Sequence, residues 1–146
     1  ETYDGAVPSG NSVMAMVLRR LAFLTGEKEW QEAADRQLHF CAGELYEYPT
    51  GYSFALLALS ASLYPHKELV CTVKENAPEM LKHYLKKYPA EEISVLVKTE
   101  KNRERLTKCA PFTAGYPVPE TEARYYLCEN GACQMPRTLE EIEKYL

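Results

Sequence analysis

The N-terminal part of the chain repeats its apolar positions at helical spacing. Val13, Val17, Leu21 and Leu24 recur every three or four residues, and Met14 and Leu18 widen the stripe. Pro8-Ser9-Gly10-Asn11-Ser12 offers several N-caps, which predicts a helix beginning near Ser12. Arg19 and Arg20 fall towards its C-terminal end, where the helix dipole favours cations. Gly26 follows as the residue that most cheaply takes a left-handed terminating conformation. A second helix is expected from about Lys28 to Tyr46, with Trp30, Ala34, Leu38, Cys41 and Leu45 on one face. So short a connection makes the two helices antiparallel neighbours. The third differs in kind: Tyr52 to Leu63 holds no charged residue. A helix apolar on every side has to be enclosed by others, and two neighbours cover only part of it. Either the C-terminal half covers the rest, or helices outside this sequence or in a second chain do.

From Pro65 the period changes. Glu68 to Val73 has the pattern of a buried strand, Asn76 and Pro78 open a helix carrying Met80, Leu81, Tyr84, Leu85 and Tyr88, and Pro89 ends it. Ile93 to Val97 is a second strand, so the three segments form a βαβ unit with a parallel pair. Lys98 to Lys108 is charged and is expected to be an exposed connection or short helix. Pro111 to Pro119 reads as loop, Ala123 to Cys128 as a third strand. Thr138-Leu139-Glu140-Glu141 is a capping box that opens a closing helix to Leu146. The expected architecture is thus mixed α and β. Antiparallel helices occupy 1–64, and a small two- or three-layer α/β module with a short, mostly parallel sheet occupies 65–146.

Composition narrows the classes of function. The 146 residues are 46% apolar and 26% charged, enough to bury a core. No apolar run approaches the ~20 residues that cross a bilayer. A net charge of −4 has the wrong sign for gathering phosphates, so neither a membrane nor a nucleic-acid partner is expected. The chain opens on Glu1 rather than methionine, as a processed chain or a piece of a longer one does. No secretory segment is visible, and a cytoplasmic location with mostly free thiols follows for the five cysteines, Cys41, Cys71, Cys109, Cys128 and Cys133.

Two constellations could carry chemistry. Asp4-Gly5-Ala6-Val7-Pro8-Ser9-Gly10-Asn11-Ser12 brings a carboxylate, hydroxyls and an amide to a helix N-terminus. Asp4, Ser9, Asn11 and Ser12 could grip a polyol or sugar, or serve as ordinary capping and turn chemistry. The segment lacks the Gly-Lys-Ser/Thr ending of a phosphate loop. The second is Cys128-Glu129-Asn130-Gly131-Ala132-Cys133. An Asn-Gly turn would set Cys128 opposite Cys133, within disulfide range. The pair is then either a reversible cross-strand disulfide or two inert structural thiols. It supplies no second pair at zinc-finger spacing, so no metal is expected, and no cofactor motif is present. His39, His66 and His83 fall in separate elements, and Glu44 and Glu47 look like solvated surface.

Three segments together resemble one family. They are Asp4 to Ser12, Tyr48-Pro-Thr-Gly-Tyr-Ser-Phe54 and Tyr126-Leu-Cys-Glu-Asn-Gly-Ala-Cys-Gln134. In order and spacing they are similar to the thioredoxin-domain-containing YyaL-like family, which includes the spermatogenesis-associated thioredoxin-like proteins. The resemblance implies the C-terminal portion of a longer protein built from a thioredoxin-like domain, an α/α toroid like that of six-hairpin glycosidases, and a small α/β part. Residues 1–64 would be the last toroid helices, with the uncharged helix in the inner ring. Asp4, Ser9 and Asn11 would lie near a pocket at the toroid's open end. The thioredoxin-like portion and its redox motif lie outside this sequence.

Two readings follow. In one, the chain lends pocket residues and structural support to a carbohydrate-active or redox-linked enzyme, inactive by itself, with a sugar-like small molecule as ligand. In the other, it is a noncatalytic accessory module with a redox-responsive Cys128–Cys133 pair. Its partners would be the missing N-terminal thioredoxin-like and toroid portions. In isolation it is expected to expose Leu56, Leu59 and Leu63 or to bury them in a homodimer.

Overall fold

The computed structural model describes residues 2–64, 66–87, 93–129, 132–133 and 136–142. The chain divides into two compact units, Glu1–Tyr64 and Pro65–Leu146.

The first unit is helical. Helix α1 (Gly10–Thr25) starts earlier than the expected Ser12, because Ser9 is its N-cap and accepts the Ser12 N–H on its hydroxyl. Gly26 closes it at φ 69°, in the left-handed region. Helix α2 (Lys28–Glu47) follows after a two-residue link, then a 3-10 turn (Pro49–Gly51) and α3 (Ser53–Leu63). The expected stripe on α1 faces the wrong way. Val13, Met14 and Val17 are exposed, whereas Ser12, Ala15, Met16 and Ala22 are buried. The reason is close approach: Ala15 on α1, Ala34 on α2, and Ala55 and Ala58 on α3 are all fully buried. Small side chains let helix backbones come together, and Val13, Met14 and Val17 are turned outward. Periodicity locates an apolar stripe but does not say whether small or large residues make the contact. Arg19 ties the three helices, donating to Gln31 Oε1 at 2.7 Å and to the Ser62 carbonyl at 3.3 Å, with its guanidinium 4.5 Å from the Phe23 ring centroid.

Helix α3 remains largely uncovered. Only Ala55 and Ala58 are buried, and Leu56, Leu57 and Leu63 are 37%, 46% and 70% exposed. Leu59, expected to be exposed, is half-buried against the cluster of Ala15, Met16, Leu38 and Ala58.

The second unit is built on a four-stranded sheet. Its elements are β1 (Lys67–Thr72), α4 (Glu79–Lys87), β2 (Ile93–Lys98), α5 (Arg103–Cys109), a 3-10 segment (Pro111–Gly115), β3 (Arg124–Glu129), β4 (Ala132–Cys133) and α6 (Leu139–Ile142). The strand order is β2-β1-β3-β4. Strands β1 and β2 are parallel, with Lys67 opposite Ile93, and β3 is antiparallel to both β1 and β4. The expectation of a mostly parallel sheet is therefore corrected: two of its three pairings are antiparallel. The link after β2 turns back at the end of the sheet where β2 finishes, instead of crossing over as α4 does between β1 and β2, so β3 enters with Arg124 beside Thr72 and runs antiparallel.

The two faces of this sheet carry different chemistry. One face holds Leu69, Cys71, Ile93, Tyr125 and Leu127 under Leu81 and Tyr84 of α4 and Leu139 and Ile142 of α6. The other holds Val70, Tyr126 and Cys128, packed by Leu96, Phe112, Tyr116 and Cys133. On α4, Met80 and Leu85 are exposed and only Leu81 and Tyr84 are buried. Thr138 and Glu141 form the reciprocal capping pair, N–H to side chain in each direction at 3.0 and 3.3 Å. The expected Asn130-Gly131 turn, the stop at Pro89, Tyr88 and the helix end at Leu146 lie outside the described residues. Among the described residues no helix is long and apolar enough to cross a membrane.

Leu81 is fully buried between α4 and the sheet, so Leu81→Ala removes core contacts that the alanine cannot replace. It is expected to cost about 2–5 kcal/mol. Chemical denaturation followed by amide exchange in β1 checks this, and unchanged protection would contradict it.

Candidate functional site

The N-terminal motif is a hydrogen-bonded knot. Asp4 is buried, and its Oδ1 accepts the Ser9 N–H at 2.7 Å. Its Oδ2 accepts the N–H groups of Phe54 and Ala55 at 2.9 and 3.2 Å, the first turn of α3. One carboxylate thus serves orphan donors at the starts of two helices, where dipoles favour negative charge. Burial opposes ionisation of Asp4, but hydrogen bonds from Ser9, Ser12, Ala55 and Phe54 outweigh it and hold the carboxyl below its ordinary 3.8. The Ser9 and Ser12 hydroxyls lie 2.8 Å apart, and the Asn11 side-chain oxygen accepts from Gln37 Nε2 at 3.0 Å. Asp4, Ser9 and Ser12 are therefore gathered, and Asn11 faces α2. Their polar groups are engaged within the fold.

A tight crossing holds this knot. The Asp4 N–H donates to the Gly51 carbonyl at 2.8 Å, and a Cβ on Gly51 would fall 2.6 Å from the Tyr48 ring and 2.8 Å from the Tyr3 ring. A side chain at that crossing would have to displace both rings. Tyr3 meets Tyr52 edge-on with centroids 6.1 Å apart, and the Tyr52 hydroxyl donates to Glu44 Oε2 at 2.8 Å. Glu44 is exposed, as expected of a solvated residue, and accepts this one hydrogen bond.

In the second unit Cys128 and Cys133 face each other across β3 and β4 and are joined by a disulfide, with Cα atoms 4.0 Å apart. The other cysteines are free thiols: Cys41 and Cys71 are buried, Cys109 is exposed. Burial pushes the Cys71 thiol up to about 11 and raises Cys41 as well, so both are poor nucleophiles.

Around the disulfide stand groups that sequence reasoning missed. Glu68 on β1 is 7% exposed and sits directly opposite Cys128 on β3 and Ser94 on β2. Burial pushes its carboxyl up to about 7, with only its own backbone N–H opposing. The Tyr116 hydroxyl is 3.3 Å from Cys128 Sγ, and its ring stacks on Tyr126 at 4.4 Å. Burial, then the neighbouring Tyr126 and Glu68, raise the Tyr116 phenol. His66 Nε2 pairs with the Ser94 hydroxyl at 2.8 Å on the same face. The signal for Glu68 was readable: an acid inside an apolar strand pattern points inward on every other residue. Nothing local pointed to Tyr116, which the loop brings across from another part of the unit.

Lys98 corrects the expectation of an exposed basic stretch. It is buried, and its ammonium donates to the carbonyls of Thr113 and Tyr116 at 2.7 and 2.9 Å. Burial, then the Arg103 charge, lower its pKa. It lines a cleft of about 580 Å³ beyond the ends of β1 and β2, with Lys74, Arg103, Glu100 and Glu120 around the mouth. The ion pairs Lys74–Glu120 at 2.9 Å and Arg103–Glu100 at 3.1 Å offset most of the charge there. Among the described residues no three His, Cys, Asp or Glu side chains are grouped to hold a metal ion.

The chain is similar to spermatogenesis-associated protein 20 of Rattus norvegicus, at 30% identity, and to the proteins of that name in Homo sapiens and Mus musculus, at 29% each. Each match covers 138 residues, 92% of this chain. The chain spans 17% of the length of these curated relatives. No family model matches it, and no solved structure matches it.

Asp4→Asn places an N–H₂ donor or a weaker acceptor against three backbone N–H groups, and is expected to cost the helical unit about 1–3 kcal/mol at pH 7. Because the folded pKa is depressed, the wild-type advantage is complete above the ordinary 3.8 and is lost as pH falls through the lower folded value. Denaturant titration followed by Trp30, the sole tryptophan, checks both statements. Equal stability at pH 7, or a gap that persists fully in strong acid, would contradict them.

Proposed function

We propose that this chain is the C-terminal portion of a longer multidomain protein and that its helical unit closes a larger helical array of the α/α toroid type. The observation that carries this is the outward apolar surface of that unit. Val13, Met14 and Val17 on α1, and Leu56, Leu57 and Leu63 on α3, are all more than a third exposed. Helix α3 has no charged residue on any face, so water is a poor neighbour for all of it. Flanking helices of the same longer chain are the partner this surface fits, and the chain's 17% share of its relatives leaves ample length for them.

In such an array Asp4, Ser9 and Ser12 build the loop that seats α1 and α3, and their contribution to any polyol-type pocket is to position it. The role is support for the parent's activity rather than catalysis by this chain alone. A second reading, an accessory module with a redox-responsive pair, is favoured by the Cys128–Cys133 disulfide.

Produced as the 146 residues alone, the chain is expected to bind a hydrophobic dye or to run as a dimer by light scattering. Leu56→Ser with Leu63→Ser should lower dye binding severalfold or release monomer. A dye-free monomer before any substitution would contradict the proposal.

A further inference from the structure

The two halves of the disulfide differ in burial. Cys128 is 1% exposed on β3, whereas Cys133 is half-buried on the outermost strand. A thiolate released at Cys128 would sit in a packed environment with Val70, Tyr126, Leu96 and Phe112. Leaving a bare charge there is costly, so reduction needs a proton delivered at that sulfur. Two groups are in place. Glu68 is the directly opposed residue on β1, on the same face, with Cβ atoms of such pairs ~4.5–5.5 Å apart. The Tyr116 hydroxyl contacts the same sulfur at 3.3 Å.

We propose that Cys128–Cys133 is a thiol–disulfide exchange site for an external dithiol, and that Glu68 is the buried acid that protonates Cys128 as it leaves. This rests on the redox-responsive reading of the pair. A thiolate of the dithiol attacks Cys133 Sγ and forms a mixed disulfide with it. The Cys133–Cys128 bond breaks, its electron pair goes to Cys128 Sγ, and that sulfur takes the Glu68 proton. The second thiolate of the reagent then attacks the reagent's own sulfur in the mixed disulfide. Cys133 leaves and takes a proton from water, Glu68 regains one from water, and the dithiol ends as a disulfide. Two electrons pass from the dithiol to the pair.

The groups facing Glu68 fit this assignment. On β3 they are Cys128 and Tyr126; on β2, Ser94 and, farther along, Lys98, whose ammonium is held by two carbonyls. Tyr116 faces it from the loop, and His66, just before β1, is paired with Ser94. A carboxyl buried among these keeps its proton to about pH 7. Tyr116 orients the leaving sulfur as a hydrogen-bond partner and stays protonated throughout, since its own pKa is raised.

The test is the rate at which dithiothreitol reduces this disulfide in the full chain, read by differential alkylation and mass spectrometry of the Cys128 and Cys133 peptides. Rates are divided by the thiolate concentration of the reagent at each pH. In wild type the corrected rate is expected to fall at least roughly tenfold between about pH 5.5 and about pH 8.5. The midpoint is expected near 7. Glu68→Gln should be slow and flat, at the wild-type alkaline level. Tyr116→Phe should keep the wild-type midpoint. Buried Cys71 reports folding by staying unalkylated, and if Glu68→Gln fails that check the wild-type profile decides alone. A pair that reduces with a flat wild-type profile, or with parallel profiles in wild type and Glu68→Gln, overturns the role of Glu68 and leaves the redox-responsive reading standing. A midpoint abolished by Tyr116→Phe overturns that role too. A pair that resists dithiothreitol at every pH overturns both.

Discussion

One carboxylate sets the geometry of the helical unit. Asp4 accepts from the first turns of α1 and α3, whose donors lie 5, 50 and 51 residues away in sequence. Two helix starts that would otherwise repel through their positive ends are drawn to one anion. The constraint spreads from there. The Asp4 backbone passes close to Gly51, where a side chain would collide with the Tyr48 and Tyr3 rings. With both N-termini fixed, α1 and α3 approach through alanines and Met16, and Val13, Met14, Val17, Leu56, Leu57 and Leu63 turn outward. The apolar outer surface is thus a consequence of how the unit is tied together.

The α/β unit divides its labour between the faces of its sheet. Helices α4 and α6 cover one face with ordinary aliphatic and aromatic packing. The other face is covered by a short 3-10 segment and Tyr116, whose carbonyl is held by the buried Lys98 ammonium. That thin cover places a carboxyl, a phenol and a disulfide on one face, where burial raises the proton affinity of the carboxyl, and burial, then Tyr126 and Glu68, raise that of the phenol. The contrast with Cys71, buried on the helix-covered face beside Tyr125 and held far from reactivity, shows that position on the sheet decides which cysteine has chemistry open to it.

Much of this was legible in the residues. Helix starts, the Gly26 stop, the strand positions and the Thr138 capping box all follow from local rules, since caps, turns and period depend on a few neighbours. The facing of Cys128 and Cys133 follows from the length of the link between them. What local rules missed was decided at a distance. The outward turn of Val13 and Val17 depends on alanines in other helices, and the direction of β3 depends on where the long link after β2 returns to the sheet. Asp4 was legible as a polar loop residue, but its second helix lies fifty residues on. Lys98 looked like the start of a solvated run because its acceptors, the carbonyls of Thr113 and Tyr116, carry no side-chain signature.

If the outward faces of α1 and α3 are internal surface of a longer protein, single engineered cysteines there are shielded in that protein, which maleimide labelling reads out. Val17→Cys and Leu63→Cys are placed in the 146-residue chain and in a longer parent chain, with exposed Cys109 changed to serine as background. Fast labelling of both in the short chain, slowed at least roughly tenfold in the parent, is expected. Equal rates in the two, or slow labelling already in the short chain, would contradict it.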